Sequence, residues 1–378
     1  MKITEIETIA LVDPGRASET IVRVHTDEGI TGIGQAESPS LVIEAIIKCD
    51  EGLEKILKGE DPLQVERLWQ KMYAATGLFG RRGVTLAAIG AVETALWDIA
   101  GKALGKPVCE LIWRSFATTR GNNEIRTRVM PYATVYPPGD TPEEMRRRFE
   151  LAVSKGFRAV KMEEWRGAFA HVNVATDVAL VKLVREVIGE ERELMIDVQN
   201  QWQEIGQALS TIRAIEPYRP FFVEAPLPAD NLDGYARLAD AVDTRIAAGD
   251  WGFTTRFEFE ELMTRGRVDV VQPSSVRSGG IGEILKIAEA AYRRGLLCIP
   301  HAWCPMVGVA AEVHLAAVVT NMPYFEYPLA FPDSPIISEL LDPPLMPDAE
   351  GFIEVPRRPG LGFTLNEGVV ARYRVKPH

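Results

Sequence analysis

The sequence predicts an α/β protein in which an α+β unit precedes a parallel (β/α) barrel. Two observations predict this. From about residue 126 onward, short apolar strands, polar turns and amphipathic helices alternate. Eight strands interleaved with helices in this way indicate a parallel barrel rather than an open doubly wound sheet. Before that point the chain begins with strand-like alternation and then changes to helical periodicity.

The elements follow in order. Residues 1–13 alternate as a strand; residues 19–29 alternate again, turn at Asp27-Glu28-Gly29 and resume as ITGIGQAE, a hairpin pattern. From Ser40 to Gly105 apolar residues recur at helical spacing. The polar stretch GNNEIRTR then marks a boundary, so residues 1–125 form the α+β unit and residues 126–330 the barrel. Barrel strands are expected at 129–135, 157–163, 193–199, 221–226, 245–250, 268–273, 296–301 and 324–328. A helix over MVGVAAEVHLAAVV places His314 on its face, and from Leu329 the chain turns proline-rich and irregular. GITGIG contains a GxG, but it lies between two strands, whereas a dinucleotide fingerprint needs a helix directly after it.

Composition sets limits on function. With 378 residues, 46% hydrophobic and 25% charged, the chain can bury a full core without disulfides or structural metals. Its net charge is −11 and its Lys and Arg are scattered, which argues against nucleic acid or an anionic membrane as partner. No CxxC pair occurs among Cys49, Cys109, Cys298 and Cys304. The beginning of the chain lacks the apolar stretch of a signal peptide, and no apolar run approaches membrane-spanning length. A soluble, cytoplasmic protein is expected.

In such barrels the C-terminal strand ends carry the active site. The second strand ends Lys161-Met162-Glu163, the third gives Asp197-Val198-Gln199, and the fourth closes with Glu224. The fifth closes with Asp250 and the seventh with His301, while Glu326 lies on the eighth. Asp197, Glu224 and Asp250 thus end three consecutive strands, and neighbouring strands lie about 4.8 Å apart. Three anions so close repel one another unless a cation sits among them. An all-oxygen set suits a hard cation, and Mg²⁺ keeps positions open for water and substrate oxygens.

Together with VRVHTDEGITGIGQAE, ALWDIAGKALGKPVCELI and PGLGF, in this order, these acids make the sequence resemble the mandelate racemase branch of the enolase superfamily along nearly its whole length. The resemblance implies a modified (β/α)7β TIM barrel with an N-terminal α+β capping domain, onto which the tail 331–378 packs back. It implies that Asp197, Glu224 and Asp250 bind Mg²⁺ and that Lys161 contacts the substrate carboxylate or serves as a base. It further implies that Glu326, protonated, donates a hydrogen bond to that carboxylate, and that His301 is a general base or acid. A homo-oligomer is also implied.

Three positions depart from the family pattern. Glu163 stands where the family often has a second lysine, Ser274 where it has the histidine's aspartate, and Gln199 where it has asparagine. Glu163 and Lys161 point to the same side and are expected to form a salt bridge. Asp269 cannot replace the missing acid: it lies five residues before Ser274, roughly 16 Å along the strand and on the opposite face. Ser274 can orient the imidazole by hydrogen bonding but supplies no charge, so His301 is expected to stay neutral to lower pH than a dyad histidine and to act as the base. Stereoinversion needs a base on each face, and both are altered; elimination needs only one. The sequence therefore favours a dehydratase acting on a small anionic substrate, a hydroxylated carboxylic or sugar acid, and giving a 2-keto-3-deoxy product. A racemase or epimerase is the alternative, and a non-catalytic metabolite-binding barrel a further one. Glu163, Gln199, Ser274, Arg16 and Arg82 are candidate substrate contacts, as is Arg277 in the loop after the sixth strand.

Overall fold

The computed structural model describes residues 1–14, 17–116, 124–137, 139–163, 173–303, 306–331 and 333–375. Strands Ile3–Asp13, Ala17–Thr26 and Thr31–Ala36 form an antiparallel sheet, against which helix Val84–Leu104 packs. That helix is long and apolar enough to cross a membrane by composition, but 89% of its apolar window is buried, and burial in the cap accounts for its character.

Eight parallel strands follow: Pro131–Tyr136, Ala159–Glu163, Glu193–Asp197, Pro220–Glu224, Ile246–Ala248, Val270–Val271, Leu297–Cys298 and Phe325–Ala330. They pair in the order seventh to first and then eighth, with a helix in each of the seven intervals. This is the modified (β/α)7β arrangement. Local signals start its helices: Thr141 caps Pro142–Ser154 with Pro142 in the first turn, and Thr255 with Glu258 makes a capping box.

Three strands are shorter than the sequence suggests. The fifth, sixth and seventh stop at Ala248, Val271 and Cys298, so Asp250, Ser274 and His301 lie in turns just beyond. Gly249 adopts φ +118°, while Pro273 and Pro300 have no N–H to continue a ladder. The tail is also more ordered than expected. Ile353–Glu354 pairs with Arg128–Val129, and Arg374–Val375 adds a strand to Ile3–Asp13. His314 is fully buried rather than a face residue; its Nδ1 accepts from Cys109 N–H at 3.2 Å and its Nε2 lies 3.2 Å from the Leu361 carbonyl.

The cap is fastened over the barrel mouth by buried polar contacts. Glu93 accepts from the N–H groups of Ile281 and Gly282 (2.8 and 2.9 Å), capping a barrel helix from outside it. Burial pushes the Glu93 carboxyl up to about 8. Glycine is required at position 280, where φ is +95° and a Cβ would stand 2.3 Å from the Glu93 carboxylate. Trp69 Nε1 donates to Gly279 (2.8 Å), and Gln35 Oε1 accepts from Gly308 N–H (2.9 Å). These contacts bring the end of the third cap strand, at Ala36 and Glu37, to the barrel mouth.

Candidate active site

At the mouth, Lys161 is almost fully buried among carboxylates. Its ammonium lies 2.8 Å from Glu224, 3.0 Å from Glu326 and 3.4 Å from Asp197. Burial opposes its charge, but Glu224 and Glu326 outweigh that and hold the ammonium well above its ordinary pKa. The expected Lys161–Glu163 bridge is absent among the described residues, because these three acids occupy the ammonium. The same crowding pushes acids up: burial raises Asp197 to about 6, and burial with the Asp197 charge raises Glu163 and Glu224 well above the usual range. The backbone here is strained, with Gln199, Asn200 and Ala225 at positive φ beside Asp197 and Glu224.

Glu326 behaves differently. Burial works against its charge, yet Lys161 and His301 hold its carboxyl below the usual range, and Thr134 and the Ala302 N–H donate to it. This lowering runs against the expectation of a protonated donor.

A second correction concerns His301. Ser274 is buried but its hydroxyl has no hydrogen-bond partner, so it does not orient the imidazole. Two carboxylates from elsewhere face the ring at ion-pair distance without a hydrogen bond of good geometry: Glu326 Oε2 lies 3.1 Å from Nδ1, and Glu37 Oε2 from the cap lies 3.6 Å from Nε2. Although burial opposes the charge, these acids push the imidazole up to about 10. The two acids thus raise the imidazole, where the expectation had it neutral to lower pH. As expected, Asp269 is out of reach; it accepts from Ile246 N–H at 2.9 Å, near the start of the fifth strand.

Ligand atoms of Glu224, Asp250 and His301 all lie within 4.8 Å of one another, and Glu224 Oε1 is buried without a hydrogen-bond partner. Oxygen-rich, buried and incompletely satisfied, this set fits a divalent cation. Asp197, the register neighbour of Glu224, is turned partly to Lys161 and accepts from Gln199 N–H at 2.8 Å.

Two family models match the chain: the mandelate racemase/muconate lactonizing enzyme N-terminal domain over residues 6–113 and the enolase C-terminal domain-like family over residues 144–369. The chain belongs to the enolase superfamily. Among its relatives, an arabinonate dehydratase from Saccharolobus solfataricus is 32% identical over 93% of this chain and 90% of that protein. A D-galactonate dehydratase from Ralstonia nicotianae is 34% identical over 100% of this chain and 96% of that protein. The crystal structure of a 3,6-anhydro-D-galactonate cycloisomerase from Zobellia galactanivorans superposes with a TM-score of 0.87 at 28% identity, covering 100% of both chains. Members of this superfamily use a divalent metal, and Glu224 and Asp250 belong to the group whose ligand atoms lie close enough together to hold one.

Not every candidate reaches this enolase-superfamily site. Arg16 lies outside the described residues. Arg82, partly exposed, pairs with Glu258 at 3.3 Å on the seam between cap and barrel. Arg277 donates to the Asp250 carbonyl (2.7 Å) and pairs with Glu37. Sequence reasoning missed Glu37, Thr134 and Glu312. Glu312 is a fully buried acid that accepts from Ser275 N–H at 3.0 Å and is pushed up to about 8 by burial. Nothing in the local pattern distinguishes these three from surface acids or strand residues.

Proposed function

We propose that this protein is a Mg²⁺-dependent dehydratase of a hydroxylated, sugar-type carboxylic acid. The observation that supports the reading most is the buried ring of acids around one lysine, with a histidine at its edge. Lys161 provides the buried cation that receives the substrate carboxylate. Asp197, Glu224 and Asp250 would hold the metal, which, when bound, stabilises the charge that develops on that carboxylate as its α-proton leaves. His301 carries the proton: in neutral form it accepts the α-proton, and as imidazolium it passes a proton to the departing β-hydroxyl, leaving as water. The Glu326 and Glu37 charges make it a stronger base than an ordinary imidazole. The product is an enol that becomes a 2-keto-3-deoxy acid.

The test is a screen of acid sugars with Mg²⁺ in D₂O. A 2-keto product should form, with little deuterium in recovered substrate. An inverted, α-deuterated substrate as sole product would make the protein a racemase instead. His301→Asn should remove both turnover and α-proton exchange; exchange surviving in that variant would move the base to Lys161.

A further inference from the structure

Glu312 takes no part in the chemistry proposed for the barrel mouth. It lies in the helix Met306–Val318, whose residues are all buried and whose only other ionisable side chain is His314. Its Oε1 accepts from Ser275 N–H at 3.0 Å, while its Oε2 is buried without a hydrogen-bond partner. A carboxyl buried with so little support is costly to keep, so what it holds is informative.

Ser275 belongs to the turn 273–278, which joins three parts of the site. The Pro273 carbonyl accepts from His301 N–H (3.1 Å), and the Val276 carbonyl accepts from Glu37 N–H (3.2 Å). Arg277 donates to the Asp250 carbonyl (2.7 Å) and pairs with Glu37. The turn also closes on itself: the Ser274 carbonyl accepts from the N–H groups of Arg277 and Ser278, at 3.1 and 2.7 Å. His301 from the barrel and Glu37 from the cap thus hang on carbonyls on either side of Ser275. A shift of that residue changes the separation of the two side chains, which is 3.6 Å between Nε2 and Oε2.

We propose that Glu312 is a positioning residue: by holding the Ser275 N–H it fixes the turn 273–278 and, through that turn, sets His301 opposite Glu37. The proposal rests on the reading of His301 as the proton carrier. An acceptor, rather than a charge, is what the turn needs. Burial pushes the Glu312 carboxyl up to about 8, so near neutral pH glutamine is a close replacement that offers Ser275 the same carbonyl oxygen. Leucine and methionine fill a similar volume and offer none.

The Mg²⁺-loaded full chain is labelled with ¹³C-histidine and its ring signals are recorded at neutral pH; His301→Asn assigns the His301 signal among the five histidines. Glu312→Leu and Glu312→Met should both move that signal, and Glu312→Gln should leave it in place. In a Glu37→Gln background the movement caused by Glu312→Leu should shrink by about half or more. Should one apolar variant fail to fold, the other carries the comparison. A signal unmoved without the acceptor, a glutamine variant that behaves like leucine, or a movement of equal size in both backgrounds overturns the proposal. On the acid sugar that the screen above converts fastest, Glu312→Leu should lower kcat about tenfold with KM within about twofold, and Glu312→Gln should keep kcat. A moved signal with unchanged kcat would leave the positioning standing and overturn His301 as the proton carrier.

Discussion

Two neighbouring layers of the barrel interior are built by the same strands, two residues apart. The lower layer contains Ala159, Met195, Phe222 and Ile299, packed with Tyr132, Ala247 and Val270. One step up, three of those strands present Lys161, Asp197 and Glu224, and the segment just beyond the seventh strand presents His301. Both layers face inward because side chains alternate along a strand. The apolar floor excludes water from below, so charges above it interact strongly and are costly to leave unpaired. This is why Lys161 is drawn among three acids, and why Glu163, Asp197 and Glu224 rise above their usual range while Glu326, beside Lys161 and His301, falls below it. A floor is needed for stability and a charged rim for chemistry; the contrast separates the two.

Substitutions can test that separation. The largest effect is expected in the rim. Asp197→Asn, Glu224→Gln and Asp250→Asn should each lower kcat/KM by about a thousandfold and weaken Mg²⁺ binding in calorimetry, with circular dichroism unchanged. Full activity after EDTA treatment would break the comparison from the functional side.

Phe222→Ala, two residues below Glu224, should do the reverse. It should cost about 3–5 kcal/mol in chemical denaturation while the remaining folded enzyme still binds Mg²⁺. A lost metal site with unchanged stability would show that the layers are not separable.

A buried histidine away from the rim sharpens the contrast further. Burial lowers His314 to about 4 from an ordinary 6.5, so the unfolded chain takes up its proton first. Its contribution is complete above pH 6.5 and is lost as pH falls to 4, about 3 kcal/mol in all. The pH dependence of unfolding should flatten over that window in His314→Gln.

The smallest effect is expected at Glu37, which supports His301 from outside the barrel. Glu37→Gln removes one of the two charges that raise the imidazole, so its pKa should fall and the acidic limb of the pH–rate profile should move to lower pH. An accompanying loss of about tenfold in kcat/KM is expected. An unmoved limb would mean that Glu326 alone sets the basicity of His301.

Much of this arrangement was legible in the sequence. Strand-helix alternation marked the barrel, and the order of strands placed Lys161, Asp197, Glu224, Asp250, His301 and Glu326 around one mouth. These inferences need only local periodicity and the regular spacing of strands. Tertiary structure decided the rest. Glu37 stands in a hairpin whose pattern describes a strand and says nothing of what it will cover. Only the docking of the cap, through Glu93, Trp69 and Gln35, brings it to His301. Charge states were also out of reach. The sequence pointed to a neutral His301 and a protonated Glu326, but in the folded site the imidazole is raised and the carboxyl lowered, the two lying 3.1 Å apart. Periodicity is a property of neighbours along the chain and can be read from it. A charge state depends on the sum of burial and of all charges nearby in space, and segments far apart in sequence supply most of that sum.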